Sequence, residues 1–220
     1  MKVKELHGNV SIRLQGAVLK GNLHVPDNAL GLVLFSHGSG SSRLSPRNNY
    51  VAGELQQRNV GTLLFDLLTE LEDVEYDNRF NIDLLTQRLI GTTNWVKQQE
   101  QLSSLQLGYF GASTGAASAL RAAARFGPAV RAVVSRGGRP DLAMAWLSDV
   151  ASPTLFLVGE MDPAVLELNK KAYDELHCTK ELKIVPGASH LFEEPGKLEM
   201  VARESTAWFV RWFQKNLNRV

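Results

Sequence analysis

The stretch LQLGYFGASTGAASAL, Leu105 to Leu120, sets Ser113 between glycines two places before it and two places after it. An apolar run precedes the triplet and an alanine-rich run follows it, with no charge or proline between them. A flexible linker is not flanked by strand and helix formers of this strength. The pattern instead predicts a strand that turns sharply into a helix, with small neighbours relieving the crowding at the corner. A serine at such a corner holds its hydroxyl at a helix N-terminus, where the positive end of the helix dipole favours a developing anion. A serine that only caps the helix would sit in the same place, so the rest of the chain has to decide between the two roles.

The composition sets the frame. The chain has 220 residues, 44% of them hydrophobic and 21% charged, with a formal net charge of +1. These values predict a globular protein of one domain over residues 1–220 that buries roughly 70% of its unfolded surface. No block of lysines and arginines is present, which argues against nucleic acid or an anionic membrane as partner. The opening MKVKELHGNVSIRL has no apolar core of a signal peptide, and no run of about 18 apolar residues occurs. Cys178 is the only cysteine, so no internal disulfide forms; a cytoplasmic location is the expectation, and Cys178 reads as passive. The sequence does not disclose an oligomeric state.

Along the chain, NVSIRLQ and AVLKGNLHV alternate apolar with polar residues, as half-buried antiparallel strands do. Continuous apolar runs follow at GLVLFS (Gly31 to Ser36), GTLLFD, LSSLQLGYF, AVRAVVS, PTLFLVG and ELKIVPG. These predict buried parallel strands. Between them lie helical patterns over Asn49–Arg58, over Ile82–Lys97 with apolar Ile82, Leu85, Leu89 and Trp95, and over STGAASALRAAARF, closed by Gly127-Pro128. The acidic stretch LTELEDVEYDNRFN reads as a connecting loop, without the spacing of a calcium or transition-metal site. From Lys197 an amphipathic helix carries Trp208, Phe209, Trp212 and Phe213, which read as core. The fold class is therefore α/β: a mostly parallel central sheet of about eight strands with helices on both faces.

In such sheets chemistry gathers beyond the carboxyl ends of the strands. Those ends read SHGSGSSR, FDLL, GASTG, SRGGRPD, VGEMD and VPGASH. Turn formation explains their glycines, but not Ser113, Asp162 and His190 at three separate corners in that chain order. A serine hydroxyl needs an adjacent base. His190, in the loop after the last strand, is placed to serve, whereas His37 precedes a glycine turn and suits a backbone role. The base needs a carboxylate to fix its tautomer. Asp162 is preferred; Asp141, Asp66 and Glu160 are the rivals, and Asp162 could also act only as the N-cap before Pro163. Acyl transfer further requires oxyanion donors, for which the backbone N–H groups of Thr114 and Ser39 are the candidates. The GSGSSR loop lacks the lysine ending of a P-loop and the third glycine of a dinucleotide fingerprint.

Together, HGSG, GASTG, VGEMD and GASH resemble the α/β-hydrolases, and within them the compact dienelactone-hydrolase-like branch, over nearly the whole chain. SHGSGSSRLSPRN, TLLFDLLTE and SRGGRPDLA further resemble a bacterial subgroup known only as predicted hydrolases. Some relatives of that subgroup are fused to a phosphoribosyltransferase domain, which is not expected within these 220 residues. Dienelactone hydrolases carry cysteine at the nucleophile position, where this chain has Ser113. The resemblance thus implies the α/β-hydrolase fold and serine chemistry on a carboxylic ester or thioester, with no cofactor and no metal; a small or acidic acyl substrate is the expectation.

About seventeen residues separate AVVS from PTLFLV, too few for a large cap domain, so an open site is expected. Arg43, Arg47, Arg136 and Arg139 all fall in strand-end loops, where one or two could clamp a substrate anion. Lactone or peptide hydrolysis, cofactor-free perhydrolysis, and a non-catalytic binding protein on the same fold are the competing readings.

Overall fold

The computed structural model describes residues 5–217. Residues 1–4 of the N-terminal stretch and residues 218–220 of the tail lie outside the described residues.

Two strands open the chain. β1 (Leu6–Leu14) and β2 (Ala17–Val25) pair antiparallel from Leu6 opposite Val25 to Leu14 opposite Ala17. Then β3 (Leu32–Ser36), α1 (Pro46–Gln56), β4 (Gly61–Phe65), α2 (Glu70–Val74), α3 (Ile82–Gln98), β5 (Leu107–Ala112) and α4 (Thr114–Phe126) follow. The remainder is β6 (Val130–Arg136), β7 (Thr154–Gly159), α5 (Pro163–Glu175), β8 (Lys180–Val185) and α6 (Lys197–Leu217). The strands form one 8-stranded sheet in the order β1-β2-β4-β3-β5-β6-β7-β8, antiparallel up to the β2–β4 pair and parallel beyond it. This is the expected architecture, and the β6–β7 connection holds only a 3₁₀ segment, Pro140–Asp149, in place of a cap.

The strand pleat feeds two cores. Leu32, Leu34, Leu107, Tyr109 and Phe156 face one side, where α3 and α4 supply Leu85, Leu89 and Leu120. Val33, Phe35, Phe110, Leu155 and Leu157 face the other, against Val51 and Leu55 of α1 and the Trp208, Phe209, Trp212 and Phe213 cluster of α6. Central strands buried on both faces are why their sequences read as unbroken apolar runs. Two glycines let α6 lie against the sheet: a Cβ on Gly108 would stand 2.7 Å from the Phe209 ring, and one on Gly31 2.7 Å from Phe213.

Three local expectations are corrected. The acidic stretch is not a plain loop, because it contains α2 and a 3₁₀ turn at Tyr76–Phe80. A capping box makes α2 possible: the Thr69 N–H donates to Glu72 at 2.8 Å and the Glu72 N–H donates to Thr69 Oγ1 at 3.2 Å. Carboxylates in the first turn complement the dipole. β5 begins at Leu107 rather than Leu102, since the Leu102 and Leu105 N–H groups are drawn into turns by Gln99 and Leu102 carbonyls. Likewise α1 starts at Pro46, before Asn49, because Ser45 accepts from the Asn48 N–H and Pro46 fits the first helical turn.

Topology then fixes where a site can form. From β3 the chain steps outward to β4, then crosses back to place β5 on the other side of β3. The carboxyl ends of β3 and β5 therefore diverge into opposite connections and leave a crevice between the His37–Ser39 corner and Ser113.

Candidate active site

Ser113 sits at the β5–α4 corner with φ +51° and ψ −122°, a conformation that non-glycine residues rarely adopt. Its backbone is fixed from both sides. The Ser113 N–H donates to the Arg136 carbonyl at 3.2 Å, and the Ser113 carbonyl accepts from Ala116 and Arg139 N–H groups, each at 3.0 Å. The flanking glycines are required by contact. A Cβ on Gly115 would lie 2.1 Å from the Ser36 carbonyl oxygen, and one on Gly111 would lie 2.5 Å from Ala116 Cα. The hydroxyl makes no helix cap, so the capping role considered for Ser113 does not account for its position.

Asp162 immediately precedes α5, yet its side chain makes no cap there either. Instead its Oδ2 lies 2.6 Å from His190 Nδ1. That contact leaves His190 Nε2 as the nitrogen not held by the carboxylate. His190 is delivered by the loop after β8, which packs over the end of β7 so closely that a Cβ on Gly159 would lie 2.3 Å from the Ala188 carbonyl. Glu194 pins this loop by accepting the Ser189 N–H at 3.1 Å, and those hydrogen bonds hold its carboxyl below the usual range.

The rival carboxylates are engaged elsewhere. Asp141 takes both prongs of Arg139 at 2.8 Å, Asp66 pairs with Arg43 at 2.5 Å, and Glu160 accepts the Gly187 N–H at 2.7 Å. His37 is buried and bridges backbone: its Nδ1–H donates to the Gly38 carbonyl at 2.9 Å while Nε2 accepts the Leu67 N–H at 3.0 Å. Burial lowers its pKa and keeps the ring neutral, as that acceptor role requires.

Ser113 and His190 line one cavity of about 230 Å³, together with Ser39, Arg47, Asn48 and Arg136. A larger hollow of about 480 Å³ lies between β1 and the end of α3, with His7, Trp95 and Gln99 on its walls. Among the described residues no serine, threonine or cysteine lines it, whereas Ser113 and His190 meet in the smaller cavity. The proposed oxyanion donors meet at the same corner, where the Ser39 N–H donates to Thr114 Oγ1 at 3.0 Å. A Cβ on Gly38 would stand 3.0 Å from Ser113 Cβ, so the corner lies directly against Ser113.

The four arginines separate. Arg43 and Arg139 are neutralised by Asp66 and Asp141, and Arg47 pairs with the exposed Glu193 at 2.6 Å. Arg136 is only 5% exposed, and among the described residues no carboxylate pairs with it. Its Nη2 donates to Asn48 Oδ1 at 3.2 Å, its Nε is buried without a partner, and its guanidinium lies 5.8 Å from the Phe192 ring. Burial, reinforced by the charge of Arg47, lowers its pKa to about 10. Asn48, Glu193 and Glu194 escape a reading of the sequence, because each acts only through a contact that the fold creates.

Among the described residues, no group of three or more His, Cys, Asp or Glu is arranged to hold a metal ion. The acidic side chains of the α2 region answer to cations: Glu70 to Lys20, Glu72 to Arg88 and Asp73 to Arg79. Nor does any described helix have the length and apolarity to cross a membrane.

Comparison with known proteins agrees with this fold. The sequence profile described as the Dienelactone hydrolase family matches residues 65–217. The crystal structure of a dienelactone hydrolase from Anabaena variabilis ATCC 29413 is 50% identical, with a TM-score of 0.91 over 94% of this chain and 98% of that one. Est1E from Butyrivibrio proteoclasticus shares the fold at 16% identity, with a TM-score of 0.81 over 94% of this chain and 99% of its own. A Mycobacterium tuberculosis H37Rv relative, provisionally named a phosphoribosyl transferase, is 54% identical over 190 residues, covering 86% of this chain and 43% of its own length. The chain thus spans less than half the length of the curated relatives it matches.

Proposed function

The chain belongs to the dienelactone hydrolase family, and we propose that it is a serine hydrolase cleaving carboxylic esters or thioesters through an acyl-enzyme on Ser113. In this reading Ser113 Oγ attacks the substrate carbonyl while His190 Nε2 takes its proton. Asp162 holds the ring in the tautomer with Nδ1–H and stabilises the imidazolium. The oxyanion of the tetrahedral intermediate is received by the Thr114 N–H and the Gly38–Ser39 corner, with Thr114 Oγ1 releasing the Ser39 N–H as the charge develops. Collapse expels the alcohol or thiol, which takes the proton back from His190. Water, deprotonated by His190, then attacks the acyl carbonyl and frees Ser113.

One observation carries the reading: Asp162 gives up a helix cap to hold His190 Nδ1 at 2.6 Å. An aspartate at a helix start forgoes the common local bond only where a stronger partner is supplied. The strained Ser113 backbone, facing the same cavity as His190, supports it.

The test is labelling with a fluorophosphonate probe and mapping of the adduct by mass spectrometry. The expected result is an adduct on Ser113, abolished in Ser113→Ala and strongly weakened in His190→Ala. A folded wild-type protein that forms no adduct would overturn the assignment and favour the non-catalytic reading.

A further inference from the structure

Arg136 poses a physical problem that the acyl-enzyme reading does not solve. A guanidinium at 5% exposure whose only hydrogen-bond acceptor among the described residues is a neutral amide is an uncompensated buried charge. Such a charge is strongly destabilising unless something neutralises it. A second guanidinium, Arg47, stands near enough to depress its protonation, and the Arg47 Nε is likewise buried without a partner. Both side chains line the cavity that Ser113 faces.

The same wall receives the N-terminus of α1, an 11-residue helix whose cap, Ser45, and first-turn residues Arg47 and Asn48 line the cavity. The hydroxyl-bearing residues Ser39 and Ser41 complete the lining from the β3–α1 loop. We propose that this wall is a phosphate subsite, and that the substrate is an ester or thioester bearing a phosphate group elsewhere in the molecule, held by Arg136 and Arg47 while Ser113 attacks the acyl carbon. The proposal rests on the Ser113 reading for its chemistry, but the subsite itself does not.

Charge and shape choose phosphate over a carboxylate. Among the described residues, two guanidinium groups and a helix N-terminus are opposed only by Glu193, whose side chain is 61% exposed and therefore well screened. The remaining positive charge is met by a group that carries nearly two negative charges at neutral pH. A carboxylate presents two oxygens in one plane and is satisfied by a single guanidinium fork. Here the donors arrive from β6, from α1 and from the β3–α1 loop, three directions that suit tetrahedral oxygens.

The test uses a matched pair with the same scissile bond, 1-butyrylglycerol and 1-butyrylglycerol 3-phosphate, followed by butyrate release, with 3-butyryloxypropanoate as the carboxylate comparison. The wild type is expected to favour the phosphorylated ester in kcat/KM, and Arg136→Gln to reduce that preference by about 10- to 100-fold, the loss of one or two charge-assisted bonds. Arg136→Lys, which keeps the charge and loses the fork, should fall between. No preference in the wild type, an equal loss on both esters in Arg136→Gln, or a stronger preference for the carboxylate ester would overturn the phosphate assignment.

A second measurement does not depend on turnover. Inorganic phosphate should raise the melting temperature of Ser113→Ala and leave that of the Ser113→Ala, Arg136→Gln double variant unmoved; equal shifts in both would overturn the subsite. If the wild type hydrolyses none of the three esters but phosphate still protects Ser113→Ala through Arg136, the acyl-enzyme reading fails while the subsite stands.

Discussion

The carbonyl of Arg136 accepts the N–H of Ser113 at 3.2 Å, while the guanidinium of the same Arg136 lines the cavity that Ser113 faces. One residue thus anchors the backbone of the Ser113 corner and presents the charge beside it. Its main-chain contribution survives any substitution, so side-chain variants at 136 probe the charge with the Ser113 anchor intact.

The burial of that charge predicts a trade between stability and recognition. Replacing Arg136 by methionine removes a guanidinium whose pKa is held near 10, an unfavourable term on the order of 3 kcal/mol. Arg136→Met should melt several degrees above the wild type. Because the folded value lies below that of the unfolded chain, the penalty is complete at neutral pH and shrinks as the pH rises through about 10. Melting curves of both proteins between pH 7 and pH 10.5 should keep a constant gap up to about pH 9.5 and begin to narrow at the alkaline end. A variant that melts lower than the wild type would show that the cation is structural.

On the proposed mechanism, the pairing of Asp162 with His190 is equally specific. Asp162→Asn should lower kcat by roughly 10³- to 10⁴-fold in ester hydrolysis, since the imidazole loses its tautomer and its counter-charge. Asp141→Asn and Glu160→Gln, whose carboxylates serve Arg139 and Gly187, should each change kcat by less than about threefold. Steady-state kinetics on one activated ester checks all three, and a large loss at Asp141 would move the acid one strand earlier.

Glycine substitutions separate necessity from permission. Gly115→Ala drives a methyl into the Ser36 carbonyl at 2.1 Å and should cost more than about 3 kcal/mol or prevent folding. Gly53, within α1, has open space where a Cβ would stand, with no neighbour inside 4 Å, so Gly53→Ala should stabilise by up to about 1 kcal/mol. Urea denaturation reads both.

His37 sets the acid limit. Burial holds its folded pKa below 6.5, so the unfolded chain binds the proton first and stability falls as the pH drops below about 6.5. Protonation also removes the acceptor for the Leu67 N–H. The melting temperature should decline more steeply from pH 7 to pH 5 in the wild type than in His37→Gln; parallel slopes would clear His37 of the effect.

The fold is legible in the sequence because its strongest signals are local. Unbroken apolar runs such as Leu32–Phe35 arise from burial on both sheet faces, and Gly111-x-Ser113-x-Gly115 announces a corner that only small neighbours permit. The positions of Asp162 and His190 can be read from their loops, but the 2.6 Å contact between them cannot, because it spans 28 residues. α2 escapes detection because its apolar residues Leu71 and Val74 remain exposed, leaving no periodic face; only the Thr69–Glu72 box marks it. The arginines look alike in sequence, and only tertiary contacts separate the three that have a carboxylate partner from Arg136.

The crowding at Gly111, Gly115 and Gly38 also limits how this scaffold can change. A side chain at Gly115 would push α4 off β3 and one at Gly111 would push it off β5, while one at Gly38 would crowd Ser113, so the corner has little room for stepwise variation. The route open to new specificities runs through Arg47, Asn48 and Arg136, whose side chains can be exchanged while the corner stays as it is. A lineage built on this scaffold would therefore diversify by rewriting its charged wall around an unchanged Ser113 corner.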